Sequence, residues 1–198
     1  VSSPFDEFLE FFSIVVPGGE FTSELSQLEV GDEILIEKQA HGFLTLDRFV
    51  DGDQLWLLPT GTGVAPFLSI LQDFEVWQRF ERIVLVYSVR TEAELAYRDL
   101  LDEVLTREYV AEHAHKLTFV PVVTRSAVPG CLNARITDLL ETGELERHVS
   151  LPMTAEDSRV LLCGNPEMVE DCRMLLQKRD MQLSLTRRPG AVAVEIYW

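Results

Sequence analysis

Gln54-Leu55-Trp56-Leu57-Leu58-Pro59-Thr60-Gly61-Thr62-Gly63-Val64-Ala65-Pro66 is the stretch on which the fold turns. A short apolar run closed by a glycine turn reads as a buried strand. Ala65-Pro66 then suits the first turn of a helix, where proline loses no hydrogen bond. The same grammar returns downstream: strands over 82–88, 117–124 and 159–163 alternate with helical patterns. One helix runs through Leu95, Leu100, Leu101, Val104 and Leu105, one spans 133–141, and one runs from Pro166 to about 179. Such alternation predicts an α/β domain: a parallel sheet covered on both faces, with ligands at the carboxyl ends of its strands.

Upstream of residue 50 the pattern changes. Residues 9–16 and 33–38 read as strands, joined by Pro17-Gly18-Gly19, a helical stretch over 22–28 and the turn Gly31-Asp32. This is β-rich and too short to be a domain alone. The expected division is therefore 1–50, a piece of an antiparallel β-barrel, and 51–198, the α/β domain.

Composition narrows the partners. The 198 residues are 46% hydrophobic and 25% charged, ordinary for a globular protein, and the net charge is −16. A chain so acidic is unsuited to nucleic acid, which needs surplus Lys and Arg to replace its counterions. Residues 1–50 hold ten acids against Lys38 and Arg48, a balance of −8. No stretch approaches the roughly 20 apolar residues that span a bilayer. Val1-Ser2-Ser3-Pro4 has no leader pattern, so a cytoplasmic, non-membrane protein is expected, taken as a monomer. Cys131, Cys163 and Cys172 show neither disulfide nor metal spacing.

Several residue sets carry chemistry. Gly61 and Gly63 could let a pyrophosphate approach backbone N–H groups at a helix start, or could simply pack a βα turn. Arg90, Arg125 and Arg135 fall at strand ends or helix starts, where forked guanidinium bonds suit a phosphate dianion; singly, each could be a solvated surface arginine. Cys163 closes an apolar strand, the usual setting of a buried structural thiol. The phenylalanines around Phe12 and Phe21 suit core packing. Tyr197-Trp198 places two large aromatics together, which suits docking against something apolar.

Together these pieces resemble one family. Gly61-Thr62-Gly63-Val64-Ala65-Pro66, Val89-Arg90, Thr124-Arg125, Arg135, Cys163-Gly164-Asn165-Pro166 and Arg187-Arg188-Pro189-Gly190 before Tyr197-Trp198 look like the bacterial ferredoxin (flavodoxin)–NADP reductases, in the branch that ends in Tyr-Trp. The resemblance covers the whole chain. It implies an oxidoreductase that exchanges hydride between NADPH and FAD and single electrons with ferredoxin or flavodoxin. An oxygenase reductase component is the second enzyme reading, with no four-cysteine cluster pattern to favour a fused form.

By resemblance, Thr60, Gly61, Arg90, Thr124, Arg125, Arg135, Cys163, Gly164, Asn165 and Asp171 bind NADP. Phe12, Ser13, Ile14, Glu20, Phe21, Thr22, Thr62, Tyr197 and Trp198 bind FAD. Cys163 would lie beside nicotinamide C4, orienting the ring. Tyr197 would cover the isoalloxazine and move for nicotinamide, and Trp198 would stack on adenine. The family's Arg-x-Tyr-Ser flavin motif precedes the stretch that begins here at Val1. The chain as given is therefore expected to hold FAD weakly, or to act as an NADP-binding module alone.

Overall fold

The computed structural model describes residues 1–3, 8–39, 41–42 and 44–196. The elements in order are α1 (Glu20–Leu25), β1 (Gln54–Pro59), α2 (Ala65–Leu71), α3 (Phe74–Arg79), β2 (Arg82–Val89), α4 (Arg98–Thr106) and α5 (Glu108–Ala111). They continue with β3 (Leu117–Val123), α6 (Ile136–Glu141), α7 (Glu144–Val149), β4 (Ser158–Gly164), α8 (Pro166–Gln177) and β5 (Val192–Ile196).

The five strands among the described residues are parallel, in the order β3-β2-β1-β4-β5. The chain winds from β1 through β2 to β3, then jumps back past β1 to add β4 and β5. Right-handed crossovers require the helices to change face when the winding direction reverses. The two cores follow from this. Leu55, Leu57 and Leu161 face Phe67, Leu68, Trp77, Leu101 and Val104, from the helices between β1 and β3. Trp56, Leu58, Val160 and Leu162 face Ile136, Leu139, Leu145, Val169 and Leu176, from α6 to α8. Alternate residues of β1 thus serve opposite layers, and both layers are apolar because the strand is covered on both sides.

Local signals set the element ends. Asp73 caps α3, its carboxylate accepting from Glu75 N–H at 2.9 Å, and Asn165 caps α8, its Oδ1 accepting from Met168 N–H at 3.1 Å. At the amino edge of the sheet, the buried Arg159 guanidinium binds Asp51 and the carbonyls of Ala155, Glu156 and Ser158. Gly52 makes room for it, since a Cβ there would lie 2.7 Å from Arg159 Cγ.

The expected strands over 54–59, 82–88, 117–124 and 159–163 form within a residue of their expected ends. The region before residue 50 differs from expectation. Among its described residues only the six-residue α1 and a short 3-10 turn at Leu46–Arg48 form, and no strand precedes Gln54. Residues 9–16 and 33–38 have the apolar content of strands, but a strand is defined by its ladder partner. Here Ile14, Val15, Leu35 and Ile36 stand exposed. The described residues of 1–50 therefore display no barrel. Helix α1 begins at Glu20 with Gly19 at its N-cap, two residues before the expected start. Strand β5 and helices α3, α5 and α7 appear where no element was expected.

Candidate functional site

The parallel order brings the carboxyl ends of all five strands to one edge, and the winding reverses between β1 and β4. In open α/β sheets that reversal opens a crevice beyond the strand ends. Two turns form it. Thr60 follows β1, its N–H donating to Cys163 O at 3.0 Å, and its Oγ1 accepts from Asn165 N–H at 2.9 Å. Gly63 N–H closes the first turn onto Thr60 O at 3.0 Å.

Glycine is required at two of these positions for different reasons. A Cβ at Gly63 would sit 2.5 Å from the Cys163 carbonyl oxygen. A Cβ at Gly164 would press into Thr60 Oγ1, and Gly164 also has φ of +129°. The turns after β1 and β4 therefore lie backbone to backbone. Gly61, by contrast, has open space on its Cβ side, the kind of room a ligand backbone needs. The structure adds a feature the sequence reading lacked: Gly61–Val64 is a 3-10 turn inserted before α2, so the glycines do not lead straight into the helix. The longer α8 starts at Pro166 behind the Asn165 cap, and its positive end faces the same crevice.

Arg90, Thr124, Arg125 and Arg135 gather at the far side of the edge. Arg125 N–H donates to Arg90 O at 2.9 Å, and Thr124 donates to Val89 O from both its N–H and its hydroxyl, at 3.0 and 3.1 Å. The loop after β3 folds back on that strand: Val123 N–H donates to Leu132 O at 2.9 Å, and Asn133 Nδ2 holds the Val123 and Ser126 carbonyls. This return sets Arg135 at the N-cap of α6, three residues beyond the Leu132 that pairs with β3. All three arginines are exposed and join no ion pair among the described residues. Asp171 is an exposed residue of α8.

Cys163 is fully buried near the end of β4, on the face of the first core. Its partner across the ladder to β5 is Glu195, so the thiol and the carboxylate rise on the same side of the sheet. The sequence reading did not single out Glu195. The alternating run Ala191-Val192-Ala193-Val194 after Pro189-Gly190 was the signal for a strand that would carry it there. Ile196 pairs with Gly164, so the chain leaves β5 at the same edge. Tyr197 and Trp198 lie outside the described residues. A groove of about 550 Å³ lies beyond β5, lined by Arg48, Leu183, Leu185 and Arg187 among others.

The residues of 12–22 assigned to the flavin are exposed or half-buried. Ser13, Ile14, Glu20 and Phe21 are exposed, and Phe12 packs against the first core. Thr22 does not open α1; it is the third residue, with its hydroxyl accepting from Val16 N–H at 3.0 Å. Thr62 is buried in the 3-10 turn. Cys172 is buried among α8 contacts, which pushes its thiol up to about 12, with Asp171 adding to the shift. Cys172 is therefore a packing thiol of the second core. No group of His, Cys, Asp and Glu suited to a metal occurs among the described residues, and no described helix is long and apolar enough to cross a membrane.

Comparison with known proteins bears on this edge. The family model described as "Oxidoreductase NAD-binding domain" matches residues 57–174. The chain is 42% identical over 200 residues to the ferredoxin–NADP reductase of Pseudomonas aeruginosa, covering 98% of this chain and 77% of the relative. It is 42% identical over 199 residues to the flavodoxin/ferredoxin–NADP reductase of Escherichia coli, covering all of this chain and 78% of that one. A crystal structure of a ferredoxin NADP+ reductase from Neisseria gonorrhoeae, with bound FAD and NADP, superposes with a TM-score of 0.91 at 37% identity, over all of this chain and 78% of that one.

Proposed function

We propose, given that this chain belongs to the bacterial ferredoxin/flavodoxin–NADP reductase family, that it catalyses hydride exchange between NADPH and FAD and single-electron exchange with ferredoxin or flavodoxin. The observation that carries the reading is the polarity of the carboxyl edge. Three exposed arginines that join no ion pair among the described residues stand toward the β2/β3 end, an open glycine turn in the middle, and a buried thiol at the β4 end.

The residues fit the coenzyme. Arg90, Arg125 and Arg135 offer forked donors to a 2′-phosphate, the feature that separates NADPH from NADH. Thr60 and Gly61 line the path of the pyrophosphate beside the N-terminus of α8, with Thr124, Gly164 and Asn165 along the same edge and Asp171 toward the adenosine. Cys163 packs the nicotinamide end, where a compact thiol limits how far the ring can tilt. It has no nucleophilic part in the reading.

The flavin side rests on family membership and on the exposed surface of residues 1–50, which we take as the FAD side, with 51–198 as the NADP domain. Phe12, Ser13, Ile14, Glu20, Phe21, Thr22 and Thr62 are assigned to FAD, with Tyr197 over its ring and Trp198 at its adenine. Exposed Ile14 and Phe21 supply apolar surface of the kind a planar ring covers. The protein's own work is to hold two rings face to face and exclude water between them. We place it in the cytoplasm as a monomer.

Titration with NADP+, NAD+ and 2′-phospho-AMP tests the reading. NADP+ and 2′-phospho-AMP should bind and NAD+ should bind far more weakly. Equal affinity for NADP+ and NAD+ would refute the placement of the phosphate at the arginines.

A further inference from the structure

The turn that carries Arg90 leads to a residue that the coenzyme edge leaves unexplained. Residues 90–97 close around Glu94. Arg90 N–H donates to Glu94 Oε2 at 3.2 Å, Thr91 Oγ1 donates to Oε1 at 3.1 Å, and the Tyr87 hydroxyl donates to the Glu94 carbonyl at 3.2 Å. The turn is thus a hydrogen-bonded body with Arg90 at one end. At the other end Tyr97 adopts φ of 64° and ψ of 16°, a left-handed conformation that bulky side chains rarely take. Asparagine or glycine would sit there at lower cost. An aromatic held in such a conformation is over-determined by its surroundings.

Its surroundings are the start of the chain. The Phe12 ring meets Tyr97 edge-on, with centroids 4.9 Å apart and planes at 89°. Ser2 Oγ donates to Glu10 Oε1 at 2.6 Å, Ser2 N–H donates to Glu10 O at 2.9 Å, and Glu10 N–H donates to Ser3 Oγ at 2.9 Å. From α2, Ser69 Oγ and Gln72 Nε2 hold the carbonyls of Ser3 and Ser2 at 2.7 and 2.8 Å. Burial holds the Tyr97 phenol above its ordinary pKa; hydrogen bonding with Ser2 opposes the shift and the Glu10 carboxylate adds to it. The stretch around Phe12 is therefore fastened to the α/β domain twice, at α2 and at Tyr97. Its neighbours Phe11, Ile14, Val15 and Val16 stay exposed.

We propose that Tyr97 is a positioning residue: the 90–97 turn is a spacer that fixes Phe12-Ser13-Ile14 against the coenzyme edge of the α/β domain, and so sets how the flavin stands relative to a coenzyme bound along that edge. This rests on the assignment of those three residues to FAD. A residue that only filled space would not need an aromatic in a left-handed conformation. A residue that joins the coenzyme's phosphate turn to the flavin stretch needs the ring and accepts the strain.

Tyr97→Asn tests the spacer, because asparagine tolerates the backbone angle and removes only the ring. With FAD-loaded protein, amide hydrogen exchange at residues 10–14 should rise about tenfold, because a local fastening is lost. The affinity for NADP+ should stay within about twofold, since no phosphate ligand is touched. Flavin reduction at saturating NADPH should slow on the order of tenfold, because ring alignment is sensitive to shifts of about 1 Å. Phe12→Leu, which leaves Tyr97 in place, should give the same pattern in milder form. Unchanged exchange at 10–14, or raised exchange with an unchanged rate of reduction, overturns the spacer. Ile14→Asp examines the flavin assignment separately: unchanged FAD affinity there removes that assignment and the proposal with it, whereas weakened FAD with unchanged exchange in Tyr97→Asn removes the spacer alone.

Discussion

Replacing Arg125 by alanine is the sharpest test of the phosphate end of the edge. The backbone tolerates it, because what Arg125 gives the fold is its N–H, donated to Arg90 O at 2.9 Å, and alanine keeps that bond. The side chain is exposed and joins no ion pair among the described residues, so its removal strands no buried partner. What is lost is a charge-assisted bond to the 2′-phosphate, worth about 1.5–3 kcal/mol in general. Solvent exposure and the two remaining arginines put this case near the lower end, at roughly 1.5–2 kcal/mol, or about 10–30-fold in Kd. Calorimetric titration at low ionic strength should show that loss for NADP+ and for 2′-phospho-AMP, with NAD+ almost unaffected. The difference should shrink as salt is added, because the contact is screened. An equal loss for NADP+ and NAD+, or no loss for either, would show that Arg125 does not meet the phosphate.

Gly63→Ala should lower the midpoint of thermal unfolding, at a cost of about 1–3 kcal/mol typical of overpacking, because its Cβ would press on the Cys163 carbonyl; an unchanged midpoint would mean that the two turns can part. Arg159→Met should reduce stability in urea by about 1–3 kcal/mol, by leaving the Ala155, Glu156 and Ser158 carbonyls without their donor, and a loss confined to low salt would show that only the exposed Asp51 pair mattered. Thiol labelling at pH 8 should reach the half-buried Cys131 long before Cys172, whose thiol burial holds at about 12; rapid native labelling of Cys172 would contradict its packing. The same shift sets an alkaline trend. Unfolded chains lose the Cys172 proton near 9 and the Tyr87 proton near 10, while the native groups keep theirs to about 12, so stability should fall as pH rises from about 9 to 12, and a flat profile would refute it.

The α/β domain was legible because its signals are local. An apolar run closed by Thr60-Gly61-Thr62-Gly63, and another closed by Cys163-Gly164-Asn165-Pro166, each specify a strand, a turn and a helix start within a dozen residues. Residues 9–16 and 33–38 have comparable apolar content, yet the described residues there form no ladder, because pairing belongs to two segments and cannot be read from one. Strand β5 was missed for a related reason. Val192 to Ile196 is short, its local signal after Pro189-Gly190 is brief, and its register against Val160 to Gly164 is what fixes it as a strand of the sheet.

Sequence by itself determined the strands β1 to β4, the glycines that let two turns touch, and the residue chemistry available for a phosphate and for a ring. It named Arg90, Arg125, Arg135, Thr60 and Cys163 without their relative positions. Tertiary structure decided the strand order β3-β2-β1-β4-β5, and with it that the arginines share one end of the edge while Cys163 and Glu195 share the other. It also decided that Tyr97 meets Phe12, 85 positions away along the chain. The physical reason is range: backbone propensity and turn chemistry act over a few residues, whereas strand order follows from covering both faces of one sheet, a condition that only the whole chain satisfies.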